Sequence, residues 1–175
     1  MIRRTRVLVA LLRAINVGGT GTLAMRDLRG LCEGAGFADV RTYIQSGNVV
    51  MRSALDEKKT RVVLEDALAA KMGRPVGVQI RSVAELEDAL AGNPFPAEIP
   101  SRVVVVFLAE APARGALASV AVPGREELQL RGRELFIHYP DGIGGSRLKV
   151  PFAREGTARN VSTVTRLLAM AREMA

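Results

Sequence analysis

The sequence predicts an α+β protein made of two ferredoxin-like halves, each a β-α-β-β-α-β unit, packed into one compact chain of 175 residues. Three observations carry that expectation. The order strand, helix, hairpin, helix occurs twice along the chain. A stretch with three prolines at 92–101 separates the two occurrences. A chain of this length buries roughly 70% of the surface its unfolded form exposes, so it needs no disulfide framework. The halves are expected at 1–91 and 92–175, the second carrying a C-terminal helix. No residue-level repeat accompanies the repeated order, so the duplication rests on element order alone.

The apolar run Val7–Leu12 predicts the first strand, over 6–12, followed by a glycine-rich loop from Asn16 to Thr22. Met25, Leu28, Cys32 and Ala35 share one face of a helix that Gly36 ends. Arg41 to Gln45 and Asn48 to Met51 read as a hairpin turning at Ser46-Gly47. Asp56 is placed to cap a helix over about 56–72, with Leu64, Leu68 and Met72 on one stripe. Val76 to Ile80 is the next strand, and Ser82 caps a short helix that stops at Gly92-Asn93-Pro94. In the second half, Val103 to Leu108 reads as a buried strand and Ala113 to Val120 as a short helix. Glu127 to Leu130 and Leu135 to Tyr139 bracket a tight Arg131-Gly132-Arg133 turn. The spacing of Val161, Val164, Leu168 and Ala171 predicts a last helix over about 158–174.

Composition narrows the chemistry. The only cysteine, Cys32, has no partner, which points to a reducing, cytoplasmic setting. The start, Ile2-Arg3-Arg4-Thr5-Arg6 and then Val7–Leu12, imitates a signal peptide, but Arg13 interrupts the apolar run and a strand is the expected reading. No stretch reaches the roughly 18 apolar residues of a membrane span. One His and one Cys cannot build a zinc site, and no carboxylate cluster has ligand spacing, so no metal and no cofactor is expected. The net charge is +7, with 21 Arg against 4 Lys spread without any long run. Such a field attracts polyanions. Single-strand binders, however, stack bases on exposed aromatics, and this chain has no Trp, two Tyr and five Phe.

Three segments look like more than scaffold. In Leu11-Leu12-Arg13-Ala14-Ile15-Asn16-Val17-Gly18-Gly19, Gly18 and Gly19 let backbone N–H groups approach an anion, and Asn16 can join them. No Gly-Lys-Ser/Thr follows, so this is not a P-loop. Arg13, a guanidinium at the end of an apolar strand, must find a carboxylate, backbone carbonyls or a ligand. In the hairpin, Tyr43 and Gln45 share a strand face and can present a phenol and an amide to a groove, with Ser46 and Asn48 at the turn. Ser46 matches no nucleophile elbow, and the only histidine, His138, is remote in sequence. At the start of the last helix, Thr157 or Asn160 suits an N-cap, while Arg159 in a first turn would oppose the helix dipole unless an anion sits beside it. The loop from Tyr139 to Arg147 is permissive in the same way and can bring Ser146 and Arg147 to a ligand.

Taken together, Leu11 to Gly19, Thr42 to Val50, Asn93-Pro94-Phe95, Tyr139 to Leu148 and Thr157 to Val164 resemble a bacterial family, the domain of unknown function numbered 1697, in order and spacing. The family usually has Gly where Ala14 stands, a Trp-Asn pair where Val161-Ser162 stands, and a different loop before Met25. The resemblance implies a duplicated fold of ferredoxin-like halves. It implies no activity.

The leading expectation is a site for a small anionic ligand, phosphate- or carboxylate-bearing, in a cleft between the halves. Its contacts would be Arg13, Asn16, Gly18, Gly19, Tyr43, Ser46, Asn48, Arg159 and Asn160. No general base stands out, so an enzymatic role is left open. Two other classes stay open, a nucleic-acid-binding module and a protein-interaction module without a small ligand.

Overall fold

The computed structural model describes residues 4–18 and 22–175. Among them the chain forms an α+β fold with two four-stranded antiparallel sheets and four α-helices. It divides into two compact units. One comprises the chain up to Glu87 together with Arg166–Ala175, the other Asp88–Thr165. No described helix is long and apolar enough to cross a membrane.

In the first unit, β1 (Arg6–Leu12) is apolar and buried on both faces from Val7 to Leu12, which suits a central strand. It lies between β3 (Asn48–Ser53) and β4 (Val78–Ser82), and β2 (Ala38–Tyr43) pairs with the outer edge of β3. Leu8, Ala10 and Leu12 point to one face with Val49, Met51, Val78 and Ile80. Against them pack Leu28 and Cys32 of α1 (Met25–Gly34) and Leu64 and Leu68 of α2 (Glu57–Met72). Each such buried leucine stabilises the fold by about 1.5–3 kcal/mol relative to exposure.

The helix ends follow local chemistry. Asp56 accepts the Lys59 N–H at 2.8 Å and starts α2, and Gly73, at φ +68°, stops it in the left-handed conformation. Ser82 and Glu85 form a capping box at the start of α3 (Val83–Ala91). The Glu85 N–H donates to Ser82 Oγ at 3.2 Å and the Ser82 N–H to Glu85 Oε2 at 2.8 Å. The last turn of α4 (Val161–Met174) is tied to the sheet, where Arg41 donates to Glu173 at 3.3 Å and Arg52 bridges Asp39 and the Met174 carbonyl.

In the second unit the strands are β5 (Val103–Phe107), β6 (Glu127–Arg131), β7 (Glu134–His138) and β8 (Thr157–Asn160), in the order β6-β7-β5-β8. That order parallels β2-β3-β1-β4 of the first sheet position by position. The covering elements differ. The expected helix over 113–120 is only a 3-10 turn, Ala116–Ser119, because Gly115 breaks the backbone at φ +80° and too few apolar residues repeat to hold a longer helix. The last helix starts at Val161, three residues later than its apolar spacing suggests. Thr157 to Asn160 instead pair with β5, Thr157 against Phe107 and Arg159 against Val105, with Thr157 and Arg159 buried and Ala158 exposed.

Candidate functional site

Most of the residues singled out in the first unit meet at one end of its sheet, where the β1–α1 loop touches the β2–β3 hairpin. Asn16 makes that junction. Its Nδ2 donates to the carbonyls of Leu23 at 2.8 Å and Gln45 at 2.9 Å, while its Oδ1 accepts the Leu23 N–H at 2.7 Å. The amide thereby spends three of its four hydrogen-bonding capacities on the chain itself. Asn48 is fully buried and donates to the Tyr43 carbonyl at 3.0 Å and to Ser46 Oγ at 2.9 Å. The Gly47 carbonyl accepts the Leu12 N–H at 2.9 Å, so hairpin and β1 are locked together. Tyr43 is half-buried beside them, and Gly18 is exposed. Gly19 lies outside the described residues.

Backbone strain concentrates at this end. Of the four described non-glycine residues with positive φ, three belong to it: Ala14 at +52°, Asn16 at +56° and Ile44 at +47°. Ile44 is a β-branched residue held in a left-handed turn while half of its surface is exposed. Such outliers persist only where the surroundings impose them, and they gather at ligand sites.

Arg13 differs from its neighbours. Its N–H donates to the Gly77 carbonyl at 2.8 Å, and its aliphatic stem runs beside Gly77 at van der Waals distance from where a Cβ would stand. The half-buried guanidinium has no hydrogen-bond or ion-pair partner among the described residues. A second cation reaches the same loop, since Arg74 donates to the Ala14 carbonyl at 3.3 Å and to the Pro75 carbonyl at 3.4 Å. Sequence reasoning passed over Arg74. The signal was available, because Gly73 ends α2 and β4 pairs with β1, which fixes the α2–β4 loop next to Arg13.

The remaining two residues belong to the second unit. Arg159 donates to Thr157 Oγ1 at 2.7 Å and to the Ala158 carbonyl at 2.8 Å from a buried position on β8. Burial pulls its pKa down to about 10. With Arg159 in a strand, the conflict with a helix dipole does not arise. Asn160 is the N-cap of α4, its Oδ1 accepting the Thr163 N–H at 2.9 Å.

Other reactive groups are committed to structure. The Cys32 thiol is buried, and desolvation, with Glu33 nearby, pushes its pKa up to about 12. His138 is buried between Glu127, 3.1 Å from Nδ1, and Glu98, 3.5 Å from Nε2, with Phe95 tilted against its ring at 5.6 Å. Asn93 holds Phe95 there by accepting the Phe95 N–H at 2.9 Å. Ser146 Oγ donates to Glu126 at 2.6 Å and accepts the Leu148 N–H at 3.2 Å. The Ser146 bond holds the Glu126 carboxyl below its usual range. Among the described residues no cluster of His, Cys, Asp or Glu has the makings of a metal site.

The model of a family described as a protein of unknown function, DUF1697, matches residues 6–136. Among solved structures, the conserved bacterial protein SP0830 from Streptococcus pneumoniae is similar, with a TM-score of 0.79 at 24% identity over 96% of this chain and 99% of that one. That likeness shows the fold. No curated protein is significantly similar in sequence.

Proposed function

The chain belongs to DUF1697, a family of proteins of unknown function, and from that premise we propose that it binds a small ligand bearing a phosphate or carboxylate group at the Arg13 end of the first unit. One observation carries the reading. Arg13 is a half-buried guanidinium with no internal partner, on a loop whose other polar groups are consumed in holding it still. A half-buried cation loses part of its hydration, and an anion restores that loss through charge-assisted hydrogen bonds. Arg74 adds a second positive charge, and the strained Ala14 and Asn16 backbone is fixed in advance, which lowers the ordering cost of binding. Gly18 and Gly19 extend the same loop and would give an anion access to main-chain N–H groups.

The same reading takes the matching strand orders as two ferredoxin-like halves, joined through 92–101, in which the second half has exchanged its covering helices for extended chain. A nucleic-acid mode that stacks bases on the sheets finds little support, because β1 and β5 are aliphatic and buried on both faces.

The test is the thermal midpoint of the full chain at low salt against sugar phosphates, nucleotides and carboxylates, in the wild type and in Arg13→Ala. A ligand at about 100 times its Kd adds roughly 2.7 kcal/mol. In a chain of this size that raises the midpoint by roughly 5–10 °C. The shift is expected to vanish in Arg13→Ala. A shift of equal size in both proteins would place the ligand elsewhere.

A further inference from the structure

Where the first unit covers its sheet with α1 and α2, the second covers the corresponding face with extended chain. Leu148, Val150 and Phe152 alternate inward onto Val104, Val106, Leu135 and Ile137. The residues between them, Arg147, Lys149 and Pro151, are therefore exposed on the outer side. Across from this ribbon runs the stretch from Ser119 to Glu126. The space between them forms two adjoining concavities of about 340 and 350 Å³ that share Pro123 and Arg147 as a common wall. Each lies at the lower end of the size range of small-molecule pockets, roughly 300–1,000 Å³.

The two lobes differ in chemistry. The first is bounded by Tyr139, Pro123 and Pro140, with Gly124, Gly142 and Gly145 leaving main chain uncovered. The Tyr139 ring is half-buried against the second core, and burial, with Glu126 nearby, raises its hydroxyl pKa, so the ring is neutral at ordinary pH. The second lobe contains Lys149 and the aliphatic Val120, Ala121 and Pro151. The carboxylates of the first lobe are already engaged, Asp141 with Arg125 and Glu126 with Ser146 and the Gly124 N–H. Arg147 and Lys149 have no hydrogen-bond or ion-pair partner among the described residues. Two residues apart on extended chain, they project to the same side with Cα atoms roughly 6.6 Å apart. The walls are fixed beforehand, because Arg102 donates to the Pro140 carbonyl at 2.6 Å and the Ser146 N–H to the Ile143 carbonyl at 3.0 Å.

We infer that this groove binds a nucleoside phosphate, with the base beside Tyr139 and the phosphates along Arg147 and Lys149. A flat ring suits a lobe walled by one aromatic and two prolines, and a short polyanion suits two cations in line. A nucleic-acid strand would need further stacking platforms, and Tyr139 is the only aromatic lining either lobe. This inference stands apart from the Arg13 reading, since the two sites use different residues of different units.

The experiment is titration calorimetry of the full chain at low salt with ADP and UDP, and with adenosine, inorganic pyrophosphate and a short polyglutamate peptide as comparators. At least one nucleotide is expected to bind saturably, with all three comparators weaker. Arg147→Ala and Lys149→Ala, both at exposed positions, should each weaken that nucleotide by roughly tenfold or more. Arg29→Ala, an exposed cation elsewhere, should leave it unchanged, and Tyr139→Leu should weaken the nucleotide without affecting pyrophosphate. Absence of saturable nucleotide binding would overturn the inference. So would pyrophosphate or polyglutamate binding as tightly as the nucleotide, or an equal loss in Arg29→Ala, which would reduce the effect to the general positive field.

Discussion

Gly47 is where the hairpin presses most closely on β1, and replacing it with alanine measures how tightly the Arg13 loop is held. Its φ is +79°, and a Cβ would stand 2.8 Å from Leu12 Cβ and 3.4 Å from Ile15 Cβ. Left-handed backbone costs an L-residue about 1–2 kcal/mol. An extra methyl in a packed contact costs about 1–3 kcal/mol. The stiffer unfolded chain offsets about 0.4–1 kcal/mol of that. The net is a loss of about 2–4 kcal/mol for Gly47→Ala, or a fall of roughly 5–15 °C in the thermal midpoint of a chain this size. Gly73→Ala is the internal control, because it has a similar φ of +68° and nothing within 4 Å of the added Cβ. It should lose only the backbone part, about 1 kcal/mol. Urea unfolding of both variants, with m-values compared to the wild type, gives the difference directly. Equal losses in the two variants would refute the claim that β1 and the hairpin are in steric contact at this point.

Ala14→Gly should stabilise the chain by a few tenths to about 1 kcal/mol, since glycine adopts φ +52° without strain and the gain in unfolded-chain entropy only partly cancels the relief; a lower urea midpoint would contradict this. Asn16→Ala removes three hydrogen bonds and a residue tolerant of φ +56°, so a loss of about 2–4 kcal/mol is expected in the same assay. Cys32 supplies a pH dependence. Its pKa is about 12 when folded against an ordinary 9.0, so above pH 9 the unfolded chain sheds a proton that the native state keeps, and stability falls as pH rises. The slope from this group approaches roughly 1.4 kcal/mol per unit once past pH 9. Cys32→Ala should flatten the decline in unfolding free energy between pH 9 and 10, and the native thiol should resist disulfide reagents at pH 8 until the chain is unfolded.

The elements set by local chemistry were legible in the sequence. Asp56 and Gly73 bracket α2, Ser82 caps α3, and the Ser46-Gly47 turn folds the first hairpin, because each depends on partners a few residues away. Long-range pairing decided the rest. Thr157-Ala158-Arg159-Asn160 reads equally well as a first helical turn, and only the presence of β5 alongside makes it a strand. The site shows the same division. Arg13 stood out in the sequence as a cation out of place on an apolar strand, and its side chain is unpartnered. Asn16 and Asn48 looked like ligand contacts because loop amides beside glycines resemble anion cradles, but their hydrogen bonds hold the loop and the hairpin, and for Asn16 one partner lies 29 residues away. The inward alternation of Leu148, Val150 and Phe152 is visible in the sequence, yet nothing local shows that it replaces a helix over the second sheet.

The most direct test of the central claim is to follow the Arg13 Nε–Hε resonance of 15N-labelled protein, assigned by its loss in Arg13→Ala, as inorganic phosphate is added at low salt. The account predicts a saturable shift of that resonance, while an exposed arginine such as Arg29 moves only slightly and without saturation. A resonance that stays in place through the titration, or that moves in parallel with Arg29, would contradict an anion site at Arg13.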